Sequence, residues 1–144
     1  MPFVFADKGV NLTNEEDIEY EGSTHYVVRV TFGNNIGDAP DDYYVLYINQ
    51  ATSRLAAIRY IVSYPGYFKD GGHSQEKLMT YEGEQTTGGI IFPETHRTFM
   101  WESDGTVGDY VTDITLSDVE FRPETKQSYF DPPRGAYIMQ GLTE

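Results

Sequence analysis

Three histidines, His25, His73 and His96, are the side chains of this sequence best suited to proton transfer or metal ligation. Their spacing argues against a shared site. No two are separated as His-x-His or His-x-x-x-His, and a zinc centre needs two or three of them to converge with a carboxylate. His96 and Arg97 fall on opposite faces of one predicted strand, and His73 sits in a Gly-rich loop beside Asp70. Carboxylates are abundant, in a run at Glu15, Glu16, Asp17, Glu19 and Glu21 and another at Asp38, Asp41 and Asp42. Neither run has the spaced ligands and central glycine of a calcium loop, so both read as solvated surface. No pair of acids is singled out for glycoside hydrolysis. Ser74 and Ser103 have no Gly-x-Ser-x-Gly context, and there is no cysteine, which removes thiolate chemistry, disulfides and Cys-ligated zinc. Asn11-Leu12-Thr13 fits a glycosylation sequon. The reading is of a chain with no catalytic residue, no metal and no cofactor.

The remaining chemistry is apolar. Twelve tyrosines, eight phenylalanines and one tryptophan give an aromatic share of 15%. Aromatic rings carry large buried area per residue, and tyrosine keeps a polar end for a surface or cavity wall. Tyr44, Tyr60, Tyr64, Phe99, Trp101, Tyr110 and Phe121 are the candidates for an apolar ligand-binding face. Each taken singly is better explained by the packed core of a small β domain, so the ligand reading belongs to the face as a whole.

These residues lie on strands. The stretch Asp42–Pro65 reads as two long arms joined by a polar turn at Asn49–Arg54. On the first arm Tyr44, Leu46 and Ile48 alternate with Tyr43, Val45 and Tyr47. On the second, Ala56, Ile58, Tyr60, Val62 and Tyr64 alternate with Leu55, Ala57, Arg59, Ile61 and Ser63. Upstream, Asn11–Asp17 reads as a polar connector. Asp17–Glu21 and Thr24–Phe32 then form a hairpin across Gly22-Ser23. Downstream, strands are predicted over Gln75–Glu82 and Ile90–Trp101, with Pro93 marking an edge or bulge. Gly83–Gly89 reads as a turn and Ser103-Asp104-Gly105 as a hairpin. Tyr110–Leu116 is a strand whose phase slips at Ser117-Asp118, a bulge signature, before Val119 and Phe121. Ala136–Met139 is a last short strand, and Pro2–Val10 is a short helical turn or an extended segment. The fold class is mainly β: a curved antiparallel meander, with at most a short N-terminal helix.

The 144 residues suit a single domain. A formal net charge of −13 disfavours nucleic acid and anionic lipid headgroups as partners. No stretch has the length of a transmembrane helix, and MPFVFADKGV is not a signal peptide. The hydrophobic opening Pro2-Phe3-Val4-Phe5 instead suggests a fragment, the C-terminal part of a longer protein.

The block YYVLYINQATSRLAAIRYIV resembles the strand, Thr-containing turn, strand hairpin of LolA/LolB-like proteins, periplasmic carriers and receptors of bacterial lipoproteins. The segment VTDITLSDVEFRPETKQSYFDPPRGAYIM is similar to that family's closing strands, with Phe121, Pro123, Phe130, Pro133 and Gly135 in its Phe-Pro-Gly pattern. The two blocks cover about half the chain in the family's order. The sequence also resembles exported bacterial proteins of the Bacteroidetes type. The resemblance implies a half-barrel around an apolar cavity for a lipid or lipoprotein acyl chain, in the periplasm or at the outer membrane. The first strands, a lid helix and an export signal of that family have no counterpart here. A partial sheet of this kind would leave a face open, and two copies covering each other as a homodimer is the alternative use of it.

Overall fold

The structure, a computed structural model, describes residues 8–33, 36, 39, 41–68 and 71–136. Nine strands succeed one another: β1 (Val10–Tyr20), β2 (Ser23–Phe32), β3 (Tyr43–Asn49), β4 (Leu55–Tyr60), β5 (Lys77–Glu82), β6 (Gln85–Thr87), β7 (Ile90–Phe92), β8 (Thr95–Trp101) and β9 (Val107–Thr115). Seven form one antiparallel sheet in the order β1-β2-β3-β4-β5-β8-β9, and β6-β7 is a separate small hairpin inserted between β5 and β8. The protein is mainly β, an antiparallel meander as the alternation predicts, and it does not close into a barrel: β1 and β9 are its two edges.

Turn chemistry sets the hairpins. Glu21 (φ 49°) and Gly22 (φ 74°) are both left-handed, the backbone of a two-residue turn whose twist matches the strands it joins. At the β3–β4 turn, Asn49 Oδ1 accepts from the backbone N–H groups of Ala51 and Thr52, both at 3.0 Å, and closes the loop on itself. Asp104 Oδ1 does the same between β8 and β9, accepting from Thr106 N and Oγ1.

Several boundaries differ from the sequence reading. Asn11–Asp17 is part of β1. An edge strand with one solvated side tolerates polar residues, provided a neighbour supplies the ladder, and β2 does so from Val10↔Phe32 to Glu15↔Val27. β4 ends at Tyr60, yet the chain stays extended because side chains replace a strand partner. Val62 N–H donates to Ser74 Oγ at 3.0 Å, and Asp42 Oδ1 accepts from Ser63 N and Oγ at 2.6 and 2.8 Å. Gly83–Gly89 holds strand β6 as well as turns. The predicted strand Ile90–Trp101 is two, β7 and β8, because Pro93 cannot donate to a ladder. No strand continues through Val119 and Phe121: β9 stops at Thr115, and Asp118 is left-handed at φ 54°. The bulges lie elsewhere, between Glu15 and Ile18, Tyr47 and Ile48, and within the β8–β9 pairing. The described residues contain one short 3-10 turn, Gln127–Tyr129, as their only helical element. The predicted N-terminal helix and the strand at Ala136–Met139 fall almost wholly outside the described residues.

Register sorts every side chain to one of two faces. On one, face A, the pairings Val27↔Tyr47, Tyr47↔Ala57, Arg59↔Leu78 and Leu78↔Phe99 run across the sheet. On the other, face B, the series is Val30↔Tyr44, Tyr44↔Tyr60, Ile58↔Met79, Tyr81↔His96 and His96↔Ile114. The hydrophobic core, Val27, Val45, Tyr47, Ala57 and Leu78, belongs to face A. No second layer covers the sheet among the described residues. The chain exposes 10963 Å², against about 7,500 Å² for a compact monomer of this mass.

Candidate functional site: two unlike sheet faces

Face A covers itself. Its small central residues, Val45 and Ala57, are fully buried because long neighbours lean over them. Ile18, Tyr20, Tyr43 and Trp101 pack around the core. The Arg59 guanidinium lies 5.8 Å from the Tyr47 ring and 5.0 Å from the Trp101 ring, so one cation bridges aromatic rings on β3 and β8. Glu76 Oε1 is 3.8 Å from Arg59 Nε, with the two side chains 18% and 19% exposed. That distance makes an ion pair but not a hydrogen bond, and Arg59 Nε is buried without a hydrogen-bond partner. Burial raises the pKa of Tyr43 and Tyr47, with Glu76 adding to both and Arg59 opposing. Further along the same face, Arg29 pairs with Glu15 at 2.5 Å and Arg97 with Glu82 at 3.0 Å. Face A is a charged, aromatic surface whose arginines are each answered by a carboxylate.

Face B is different in kind. From β1 to β9 the register places Leu12, Tyr26, Ile48, Ile58, Met79 and Ile114 on it, with Lys77, His96 and, at the β1 edge, Glu19 as its basic and acidic residues. In a chain of net charge −13 the β2–β5 and β8 part of this face carries no carboxylate, and Glu19 of β1, opposite Thr24, stands at its edge. An aromatic row crosses its middle. Phe32 meets Tyr44 edge-on at 6.1 Å, Tyr44 stacks on Tyr60 at 6.2 Å, and Tyr81 meets His96 edge-on at 4.9 Å. Burial raises the pKa of Tyr44 and Tyr60 and pushes that of Tyr81 up to about 12, with Tyr60 and Tyr44 adding to it. Burial also lowers the pKa of His96, whose Nε2 is enclosed without a hydrogen-bond partner. Leu12, Tyr26 and Ile114 remain about half exposed, and Tyr44, Ile58, Tyr60, Met79 and Tyr81 are only partly covered.

The seven residues expected to share one apolar face do not. Tyr44 and Tyr60 lie on face B, whereas Phe99, Trp101 and Tyr110 lie on face A. Tyr64 follows the end of β4 and packs on Tyr67 at 5.6 Å. Phe121 belongs to the C-terminal segment, against Phe92 of β7 at 6.2 Å. The residues that complete the face B row, Phe32, Tyr81 and His96, are ones the sequence reading did not select. Their signal was present as alternation within each strand, and only the pairing register joins them.

His96 and Arg97 point to opposite faces, and Arg97 faces Glu82 and Asp113. Among the described residues no three His, Asp or Glu side chains gather as a metal site requires. The two most prominent depressions, of about 440 Å³ beside the β1 bulge and about 350 Å³ along Arg122–Tyr129, lie away from the aromatic row. No protein-family model, curated protein or solved structure matches the chain.

Proposed function

We propose that the protein is a non-catalytic interaction module that closes face B against an apolar partner surface. An apolar face whose central strands carry no carboxylate in an otherwise strongly acidic chain, and whose Leu12, Tyr26 and Ile114 are about half exposed, carries this reading. Exposed apolar patches of this breadth mark contact sites. A second copy fits well: two flat sheet faces pack about 10 Å apart with interleaved side chains, and a two-fold axis makes one self-complementary patch sufficient. Acid repulsion is least along the face whose central strands carry no carboxylate. Light scattering over a concentration series should give twice the chain mass. Tyr60→Asp, which sets a carboxylate in the middle of face B, should return the chain to a monomer while retaining its β-sheet circular dichroism. A wild-type chain that stays monomeric at high micromolar concentration would sink self-pairing.

The Phe32–Tyr44–Tyr60 row favours a second reading, a lipid or acyl chain laid along the same face, as the LolA/LolB-like resemblance implies. Each buried methylene contributes roughly 0.8 kcal/mol without any specific polar contact. Under this reading, native mass spectrometry and lipid extraction of the purified protein recover bound lipid, and a lipid-free preparation that also fails to take up a fluorescent fatty acid rejects it. A module of the envelope, in the periplasm or at the outer membrane, accords with either partner.

A further inference from the structure

The two edges of the sheet are built differently. β1 has a bulge at Glu15–Ile18 and carries Glu15, Glu16, Asp17 and Glu19, devices that discourage a further strand. β9 has irregularities of its own towards Val107 and carries Asp109 and Asp113, but its Thr112–Thr115 run pairs with β8 without a break, it has no lysine, arginine or proline, and eight of its nine residues are exposed. Val107, Tyr110, Val111 and Ile114 are each 40–58% exposed, and no further strand pairs with the outer side of β9 among the described residues. A strand with an unpaired ladder and apolar side chains is a template for another strand.

Charge decides what kind of strand. Between residues 102 and 121 stand Glu102, Asp104, Asp109, Asp113, Asp118 and Glu120, with no lysine, arginine or histidine. Across face A the signs alternate: Glu82 on β5 pairs with Arg97 on β8, and Arg97 lies opposite Asp113 on β9. The next position outward calls for a cation. On face B the adjacent β9 residue is Ile114, which asks for an apolar neighbour. We infer that β9 accepts an extended segment of a partner protein, alternating basic and apolar residues, with a Lys or Arg beside Asp113 and an apolar side chain beside Ile114. A second copy does not meet this need, because β9 supplies no base to its own image and each chain carries a net charge of −13. The inference concerns the sheet edge and stands apart from the pairing proposed for face B.

The test uses the full chain and an octapeptide of alternating valine and lysine. One control replaces every lysine with glutamate, and another keeps the composition but groups the lysines at one end. Fluorescence anisotropy should show the alternating peptide binding at least tenfold tighter than either control. Hydrogen exchange should slow in residues 107–115 when it is added. Asp113→Asn should weaken binding several-fold, and Ile114→Ser should weaken it with the charge unchanged, so loss of fold in one variant leaves the other to decide. Tyr60→Asp should leave peptide binding unchanged, which separates failure of this inference from failure of the face B reading. Equal binding of the grouped-lysine peptide would reduce the edge to a generic acidic surface and overturn the proposal. So would β9 protection before any peptide is added, the sign that the chain's own termini cover it. Protection that rises with protein concentration alone would assign the edge to a second copy.

Discussion

Faces A and B belong to one sheet and solve the same problem in opposite ways. Both present apolar strands to a side with no covering layer. Face A adds long charged residues, and these lie over the small apolar ones. The stems and planar head of Arg59 cover what a second layer would otherwise cover, and Tyr47 and Trp101 hold the head in place. Face B has few charged side chains to spread: Val30 and Leu46 are buried in it, while Leu12, Tyr26 and Ile114 stay about half open. A sheet face is completed by its own side chains when they are long and mutually paired, and by a partner when they are short and apolar.

The largest expected contrast is between buried and exposed apolar residues. Leu78 on face A is 1% exposed, and Leu78→Ala should cost about 2–5 kcal/mol in urea unfolding. Tyr26 on face B is 52% exposed, and Tyr26→Ser should cost under about 0.5 kcal/mol in the monomer. Equal losses at the two positions would show that face B is already covered in solution.

Next comes the arginine. Arg59→Ala removes both the covering stem and the cation between Tyr47 and Trp101, and should cost about 2 kcal/mol. Arg59→Met keeps the stem and removes a buried Nε that has no acceptor, so its cost should stay below about 1 kcal/mol. If methionine proves as damaging as alanine, the charge and not the stem completes face A.

The smallest effect is in alkaline titration. Tyr20 on face A and Tyr81 on face B both have pKa values raised to about 12, in each case chiefly by burial. A phenol whose folded pKa is raised favours folding in its neutral form. That stability is complete below pH 10 and is lost as the pH climbs from 10 towards 12. Absorbance of tyrosinate near 295 nm should show a late-titrating fraction that includes Tyr20 and Tyr81, and Tyr81→Phe should reduce it by one group. Pairing through face B should delay Tyr81 further and leave Tyr20 where it is. Two tyrosines that shift together on association would contradict a face-specific contact.

Much of the fold was legible because alternation is local. Tyr43–Ile48 and Ala56–Tyr60 display their two faces in the sequence itself, and the Asn49 and Asp104 turns announce themselves by residue type. β1 was hard to read because an edge strand need not be apolar on its outer side, and Asn11–Asp17 looks like a connector for that reason. Grouping Tyr44 and Tyr60 with Phe99, Trp101 and Tyr110 failed for a more general cause. Between β4 and β5 lies a long loop, and between β5 and β8 lies the β6–β7 hairpin, so counting residues does not carry parity across either gap. The candidate site was therefore half visible: its tyrosines stood out, but their companions did not.

The sequence by itself determined an antiparallel β chain, its main turns, its acidic surface and the two sides of each strand, because these follow from period, residue type and charge count. Which sides meet was decided only in the tertiary structure. Register through bulges and long connections set Arg59 between Tyr47 and Trp101, and it aligned Tyr44 and Tyr60 on the side that Tyr81 and His96 share. Side-chain direction has a period of two along a strand, so a one-residue difference in pairing would exchange the faces.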